Sequence, residues 1–364
     1  MNVLYLINHA GKAGTEKYVY NLVCAYHKKK CNCFFAYNEE GLLSQQIKEL
    51  NIPMFKVEMK NPFDLAAAKK LAAICRENKI DIIHTQYPRE NYIAILSRIF
   101  YKKVKVIYTC HLTLKTNLLW KITNKLLIPH EEKIISVCNN GKELLVSNGV
   151  PANKITVIFN GIPFAGEPKR QSSIREELGL DSSTFVISTL ARYHIAKGLD
   201  YFVKSIAEYD KIAKGNYVVL IAGEGELFDE IKDLIKSFNL EDKILQLGFR
   251  RDSENILKGS DIFVNSAKCY EALSFAILEA LGNKLPVIAT DVGGNPDIIN
   301  EKTDCGYIVP YGDTKAMANA IASLAEDKEV YNRFSENALK TVKERFNLPL
   351  LLEDIYKEYE NALN

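Results

Sequence analysis

Two carboxylates eight positions apart, Glu271 and Glu279, frame the segment EALSFAILEALGNKLPVIATDVGG at 271–294. An apolar run at 261–267, DIFVNSA, reads as a buried strand. A helix is expected to begin near Ser274, and a second apolar strand follows at 286–290 before Gly293-Gly294. The first turn of a helix carries N–H groups without intrahelical partners, and such groups hold phosphate. A carboxylate just before that turn and another further along the helix accept hydrogen bonds from hydroxyls on either side of it. The pattern predicts that the N–H groups of Leu273, Ser274 and Phe275 meet a phosphate, that Glu271 meets the hydroxyls of a sugar and that Glu279 meets those of a ribose. Ile277, Leu278, Ala280 and Leu281 surround Glu279, and a carboxylate in apolar company needs partners. A nucleotide-diphosphate sugar carries all of these groups.

A second constellation, ARYHIAKGLDYF at 191–202, places Arg192 and Lys197 in a loop that follows an apolar strand and becomes a helix near Gly198. Two cations there can neutralise a leaving diphosphate. By themselves they read more simply as surface charge on a loop; only the 271–294 segment tips the reading. Gly223-Glu224-Gly225 ends another apolar strand. It lacks the third glycine of the dinucleotide fingerprint and the acidic residue about 20 positions on, which argues against a dehydrogenase.

These motifs need a scaffold that brings strand ends together. Apolar runs near 3–8, 32–37, 54–59, 80–86, 104–110, 133–138 and 155–159, and again near 185–191, 217–222, 244–248, 261–267, 286–290 and 306–309, alternate with helical patterns such as 16–29 and 64–78. Alternation of this kind with continuously apolar strands predicts parallel, doubly wound α/β sheets. A breaker-rich stretch at 160–168, NGIPFAGEP, divides the series. Two Rossmann-like domains are expected, 1–163 and 164–348, with ligands outside the carboxyl ends of their strands.

From about Gly11 to Pro310 the motifs resemble, in order, those of family 4 of the retaining glycosyltransferases, whose signature is a Glu-x7-Glu like Glu271 and Glu279. The resemblance implies the GT-B fold: two Rossmann-like domains facing across a cleft, acceptor in the first and donor in the second, with the last helix, about 349–364, crossing back onto the first. Arg192, Lys197 and Gly198 are similar to the family's phosphate-binding loop, and Gly223 to a glycine that lets the backbone approach the nucleotide. Leu247-Gly248-Phe249-Arg250 matches the region that cups the base, where Arg250 would stack or hydrogen-bond; an ordinary turn explains it nearly as well. Ala191, Ala272, Lys284 and Asp297 stand where relatives usually have Gly, Gly, Gly and Glu, and they leave the sugar unreadable.

In the N-terminal half, GKAGTE at 11–16 joins the first strand to the first helix. It resembles the family's glycine-rich acceptor loop and also suits a tight turn. Gly14, Thr15 and His9, just before the loop, are candidate acceptor contacts. His111 ends an apolar strand where similar enzymes often have a histidine facing the transferred sugar; a satisfied structural histidine is the alternative. With Arg192, Lys197 and Glu271 it completes the candidate catalytic set. His84 ends another strand without an accompanying motif. The stretch 112–130, LTLKTNLLWKITNKLLIPH, is a basic amphipathic helix bearing the chain's single Trp. It either dips into a bilayer interface or packs on its own sheet.

The 364 residues are 47% hydrophobic, ample for two cores. No run approaches the length of a membrane helix, no signal peptide is evident, and the eight cysteines show no metal spacing, which points to a cytoplasmic enzyme with free thiols. No Asp-x-Asp stands in a strand-end loop, so metal-independent chemistry without a cofactor is expected, with the charge neutralised by Arg192, Lys197 and the helix dipole. Residues 1–163 hold 23 Lys and Arg against 12 Asp and Glu, whereas 164–364 hold 24 against 33. The basic half suits an anionic membrane surface or a phosphorylated acceptor; a solvated basic face without a partner is the plain alternative. The expected partners are a nucleotide-diphosphate sugar and a sugar or polyprenyl-linked sugar acceptor, and no nucleic acid. Rival readings are a nucleotide-sugar epimerase or hydrolase, and a sugar-nucleotide-binding module that has lost catalysis.

Overall fold

The computed structural model describes residues 1–11, 14–111, 115–164, 166–168, 171–269 and 271–364. The chain divides into two compact units, Met1–Asn160 together with Pro349–Asn364, and Gly161–Leu348. Each is built on one parallel sheet.

The first unit contains β1 (Asn2–His9), β2 (Asn32–Glu39), β3 (Met54–Lys56), β4 (Ile82–Thr85), β5 (Lys105–Cys110), β6 (Lys133–Ser136) and β7 (Ile155–Val157), in spatial order β3-β2-β1-β4-β5-β6-β7. Residues Val3, Leu4, Tyr5, Leu6 and Ile7 of β1 are all fully buried, as a strand covered by helices on both faces must be. The helix Gly14–Tyr26 stops short of the expected 29 because Lys28 takes φ +58° and the N–H groups of Lys29 and Lys30 turn back to the Tyr26 carbonyl. The last helix, Leu348–Leu363, buries Leu351, Ile355, Tyr359 and Ala362 along one face. Tyr359 Oη lies 2.6 Å from His84 Nδ1 and donates to Tyr5 Oη at 3.3 Å, while Tyr26 Oη donates to the Leu352 carbonyl. A buried polar network thus ties this helix to β1 and β4.

The second unit contains β8 (Phe185–Leu190), β9 (Tyr217–Ala222), β10 (Ile244–Gly248), β11 (Ile262–Asn265), β12 (Val287–Thr290) and β13 (Gly306–Val309), in order β10-β9-β8-β11-β12-β13. Alternation along the strands feeds two layers. Ile187, Val219 and Ile221 join one cluster with Ile262, Val264 and Ile288, while Val186, Val218 and Leu220 pack with Ile174 and Ile256. In both units the strand order reverses once, between β1 and β4 and between β8 and β11. A crevice at the carboxyl ends of the strands opens at such a reversal.

None of the eight cysteines forms a disulfide; Cys31, just before β2, and Cys33, within it, lie with sulfurs 3.8 Å apart. Among the described residues no helix is long and apolar enough to cross a membrane.

Candidate functional site

Four loops meet at the carboxyl ends of β8, β9, β11 and β12. Backbone contacts hold them together. The loop after β8 is zipped to the loop after β9 by Ala191 N–H to the Ala222 carbonyl at 3.0 Å and Tyr193 N–H to the Glu224 carbonyl at 3.0 Å. A Cβ at Gly223, where φ is +152°, would sit 1.9 Å from the Ala191 carbonyl oxygen. Gly223 is therefore required by the packing of the Arg192 loop itself, whatever it does for a ligand. The far end of the Arg192 loop is pinned to the loop after β11, since Lys268 N–H donates to the Ala196 carbonyl at 2.8 Å and Ser266 Oγ donates to the Lys197 carbonyl at 2.9 Å.

This pinning brings Lys197 and Glu271 together across the β8–β11 reversal. Lys197 Nζ donates to Glu271 Oε2 at 2.7 Å, with the two side chains 27% and 9% exposed. Glu271 is supported from behind: Gly294 N–H donates to the Ala272 carbonyl at 2.7 Å, and a Cβ on Gly293, at φ +60°, would lie 1.7 Å from the Glu271 carbonyl oxygen. No other residue type fits at 293 without moving the loop that carries Glu271. Arg192 is exposed, and among the described residues no carboxylate pairs with it.

The helix expected near Ser274 is Phe275–Gly282 with Ser274 as its N-cap. Leu273 and Ser274 are buried, Phe275 half-buried. Asn265, at the end of β11, donates from Nδ2 to Ser274 Oγ at 3.3 Å, and fully buried Asn295 donates to the Asn265 Oδ1 at 3.4 Å and to the Thr290 carbonyl at 3.0 Å. These two asparagines brace the helix start, and the motifs did not single them out. The available signal was a polar residue closing an apolar strand in DIFVNSA. Glu279 lies on this helix, half-buried between buried Leu278 and Ala280.

Arg250 is held by two carboxylates. Its guanidinium is fully engaged with Glu177 at 2.5 and 2.9 Å and with Asp252 at 2.9 and 2.8 Å. A hydrogen bond from this side chain to a base would have to displace a carboxylate, whereas stacking would not; in the structure the residue clamps the turn after β10.

In the first unit the candidate residues gather at the carboxyl ends of β1 and β5. His9 is exposed and lies 3.2 Å from Glu39 Oε2. Gly14 is exposed at the start of its helix and Thr15 is buried, hydrogen-bonded to Tyr87; Lys12 and Ala13 of the glycine-containing loop lie outside the described residues. His111 is 9% exposed, its Nε2 2.9 Å from Gln86 Oε1 and its ring edge-on to Tyr18 at 4.7 Å. Burial lowers it to about 3, so it is a neutral imidazole. His84 is likewise lowered to about 3 by burial and then by His111, and both its nitrogens are used, one by Tyr359 and one by Thr109 Oγ1 at 2.7 Å. Leu112, Thr113 and Leu114 of the amphipathic stretch lie outside the described residues. Of the rest, Leu118–Leu127 forms an α-helix and Ile128–His130 a 3-10 turn, and Trp120 faces inward, stacked on Tyr92 at 5.6 Å and Phe63 at 5.9 Å. The Trp120 ring is therefore committed to the unit's own aromatic stack, the packing alternative for this face of the stretch.

Two family models match the chain: "Glycosyl transferases group 1" over residues 170–341 and "Glycosyltransferase Family 4" over 13–165. The chain is 26% identical over 323 residues to the N-acetyl-alpha-D-glucosaminyl L-malate synthase of Bacillus anthracis, covering 86% of this chain and 82% of that one. It is 26% identical over 361 residues to the UDP-Gal:alpha-D-GlcNAc-diphosphoundecaprenol alpha-1,3-galactosyltransferase of Escherichia coli, covering 94% and 89%. Among solved structures, Anabaena Alr3699/HepE in complex with UDP superposes with a TM-score of 0.88 at 18% identity, over 99% of this chain and 100% of that one.

Proposed function

The chain belongs to glycosyltransferase family 4, with the GT-B fold, and from that premise we propose a retaining hexosyltransferase that moves a sugar from a nucleotide-diphosphate sugar to a sugar or polyprenyl-linked sugar acceptor. The observation that carries the donor side is the Lys197–Glu271 corner beside a braced helix start. An ammonium has three N–H donors, so Lys197 can keep its bond to Glu271 and offer the others to a diphosphate. Exposed Arg192 adds a second cation, and the first-turn N–H groups around Leu273, Ser274 and Phe275 add a third source of positive potential. Glu271, held by Lys197 on one oxygen, presents the other to the hydroxyls of the transferred sugar, and Glu279 takes the ribose.

With leaving-group charge met by these groups, the proposed chemistry is metal-independent and front-face. The acceptor oxygen bonds to the anomeric carbon on the side from which the phosphate oxygen departs, and the acceptor proton passes to that departing oxygen. Neutral, buried His111 enters this scheme as a hydrogen-bonding group, never as an acid. The E. coli relative's name specifies a UDP-sugar and a diphosphoundecaprenol-linked acceptor, and that supports UDP and a lipid-linked sugar as the first substrates to test. Such an acceptor places the enzyme in the cytoplasm at the inner face of the membrane, in keeping with the basic N-terminal half, and with polysaccharide synthesis.

The test is a thermal-shift panel of nucleotide diphosphates and their sugars, followed by transfer of labelled sugar to polyprenyl-diphosphate-linked acceptors. Stabilisation by one nucleotide and labelled lipid product support the proposal. Consumption of donor with no acceptor present would favour a hydrolase or epimerase. Transfer to a small hydroxy acid alone would favour a soluble acceptor of the kind the B. anthracis relative's name specifies.

A further inference from the structure

The helix Leu118–Leu127 is apolar on two faces, and only one of them is used inside the protein. Trp120 stacks on Tyr92 and Phe63, and buried Asn124 accepts from Tyr92 Oη and donates to the Asn148 carbonyl at 2.8 Å. That is the inner face. On the outer face Leu118, Leu119, Ile122 and Leu126 are 72, 69, 48 and 65% exposed. At about 100° per residue these four fall within one arc of about 100°, which makes a single stripe. Phe63, 47% exposed and stacked on Trp120, extends it. Exposed large hydrophobics elsewhere in the chain are mostly single, which is ordinary for a protein surface; four on a ten-residue helix are not.

The charges around the stripe identify what covers it. Residues 115–130 contain Lys115, Lys121 and Lys125 and no Asp or Glu. Lys121 and Lys125 flank one edge of the stripe in helical projection, and Lys115 lies just before the helix. The unit as a whole carries 24 Lys and Arg against 16 Asp and Glu, even after the acidic last helix is included. A second copy of this chain would bring the same lysines face to face with these. An anionic lipid leaflet satisfies both features, since leucines enter the headgroup and acyl boundary while lysines with long stems stay at the phosphates.

We propose that the outer face of the helix Leu118–Leu127 is a monotopic membrane anchor that lies in the plane of an anionic leaflet. The inference rests on the lipid-linked acceptor of the proposed function for its purpose, and on the exposed stripe and its lysines for its evidence. It narrows the sequence's expectation for the 112–130 stretch to one face of its helix, the outer one. Trp120 points away from the lipid, and the Lys28-Lys29-Lys30 and Lys102-Lys103 clusters contribute long-range attraction only.

The test is flotation of the full chain with vesicles of equimolar phosphatidylglycerol and phosphatidylethanolamine, and with pure phosphatidylcholine, at low and high salt. The wild type is expected to float with the anionic vesicles and to be weakened by salt. The triple variant L118S/L119S/I122S should lose binding by about tenfold or more, and K115Q/K121Q/K125Q should lose it chiefly at low salt. Unchanged melting and unchanged emission from Trp120, the sole tryptophan, establish that the variants fold. Wild-type binding by the serine variant, or loss of binding only on reversing Lys28-Lys29-Lys30, overturns the proposal. So does a wild type that ignores anionic vesicles yet runs as a dimer that the serine variant dissociates. Calorimetry with UDP on the same samples separates the two claims. Nucleotide binding without vesicle binding sinks the anchor alone, and vesicle binding without any nucleotide binding supports the anchor while sinking the donor assignment.

Discussion

The two units wind their sheets in the same order and reverse at the same point, yet they fill the crevice at that point with opposite chemistry. In Gly161–Leu348 the crevice holds charge. Lys197 and Glu271 pair at 2.7 Å, Arg192 stands exposed, and a helix start braced by Asn265 and Asn295 adds its dipole. In Met1–Asn160 the ends of β4 and β5 carry neutral polar groups: His84 and His111 are buried and uncharged, wrapped by Tyr18, Thr109, Gln86 and Tyr359. Topology decides where a ligand can sit, and loop chemistry decides which ligand. A charged, preorganised crevice suits a diphosphate, whereas a neutral one suits hydroxyls.

That contrast is open to attack at both ends. The largest expected effect comes from Lys197→Ala, which removes the cation from the leaving group and should lower turnover on the order of 10²-fold or more. Full activity of this variant would erase the distinction between the units. Gly293→Ala is expected to come next. Its Cβ has no room against the Glu271 carbonyl and its φ is +60°, so the Glu271 loop must shift. Turnover should fall by at least about tenfold, with stability in urea titrations lowered by an amount on the order of 1–3 kcal/mol. A crystal structure of the variant with Glu271 unmoved would refute the bracing role.

The neutral crevice is tested by pH. Burial holds both histidines near 3, whereas in the unfolded chain they protonate near about 6.5. Their neutral form favours the fold fully above that value, and stability should fall as pH drops from about 6.5 towards 3. His111→Gln should flatten part of that slope in urea titrations at stepped pH. The buried carboxyls act in the opposite direction. Burial raises Glu131 to about 8 from 4.5, partly offset by the hydrogen bond from Asn91. An unfolded carboxyl ionises within that window while the folded one does not, so stability is lost as pH rises through it. Glu131→Gln should therefore stabilise the protein at pH 8, by an amount on the order of 1–3 kcal/mol, and leave it unchanged at pH 4. Arg250→Ala should have the smallest effect on turnover, within about twofold, because its guanidinium is spent on Glu177 and Asp252; a large loss of nucleotide binding in that variant would return it to the base site.

Much of the fold was legible because a parallel strand buried on both faces writes itself as a continuous apolar run. The thirteen expected strands all appear, with β3, β4 and β11 each three residues shorter than expected. The helix start at Ser274 was legible for the same reason, since an apolar strand, a polar cap and a helical run fall in sequence. The Lys197–Glu271 pair was not. Its members lie 74 positions apart, and their meeting depends on Ala196 and Lys268 pairing through backbone atoms that no side-chain pattern encodes. Asn265 and Asn295 stayed hidden because each is one polar residue in an otherwise ordinary strand end or turn. The direction of Trp120 was unreadable because its helix is apolar on both faces, and periodicity alone cannot say which face the sheet takes.

The central claim, that the charged crevice is the donor site, is met most directly by calorimetry of free UDP binding to the wild type and to Lys197→Ala, Glu279→Ala and Glu271→Ala. The account predicts clear weakening on losing Lys197 or Glu279, and unchanged or tighter binding on losing Glu271, because its removal frees the Lys197 ammonium for the diphosphate. Wild-type affinity in both the Lys197→Ala and Glu279→Ala variants, or weakening confined to Glu271→Ala, would contradict it.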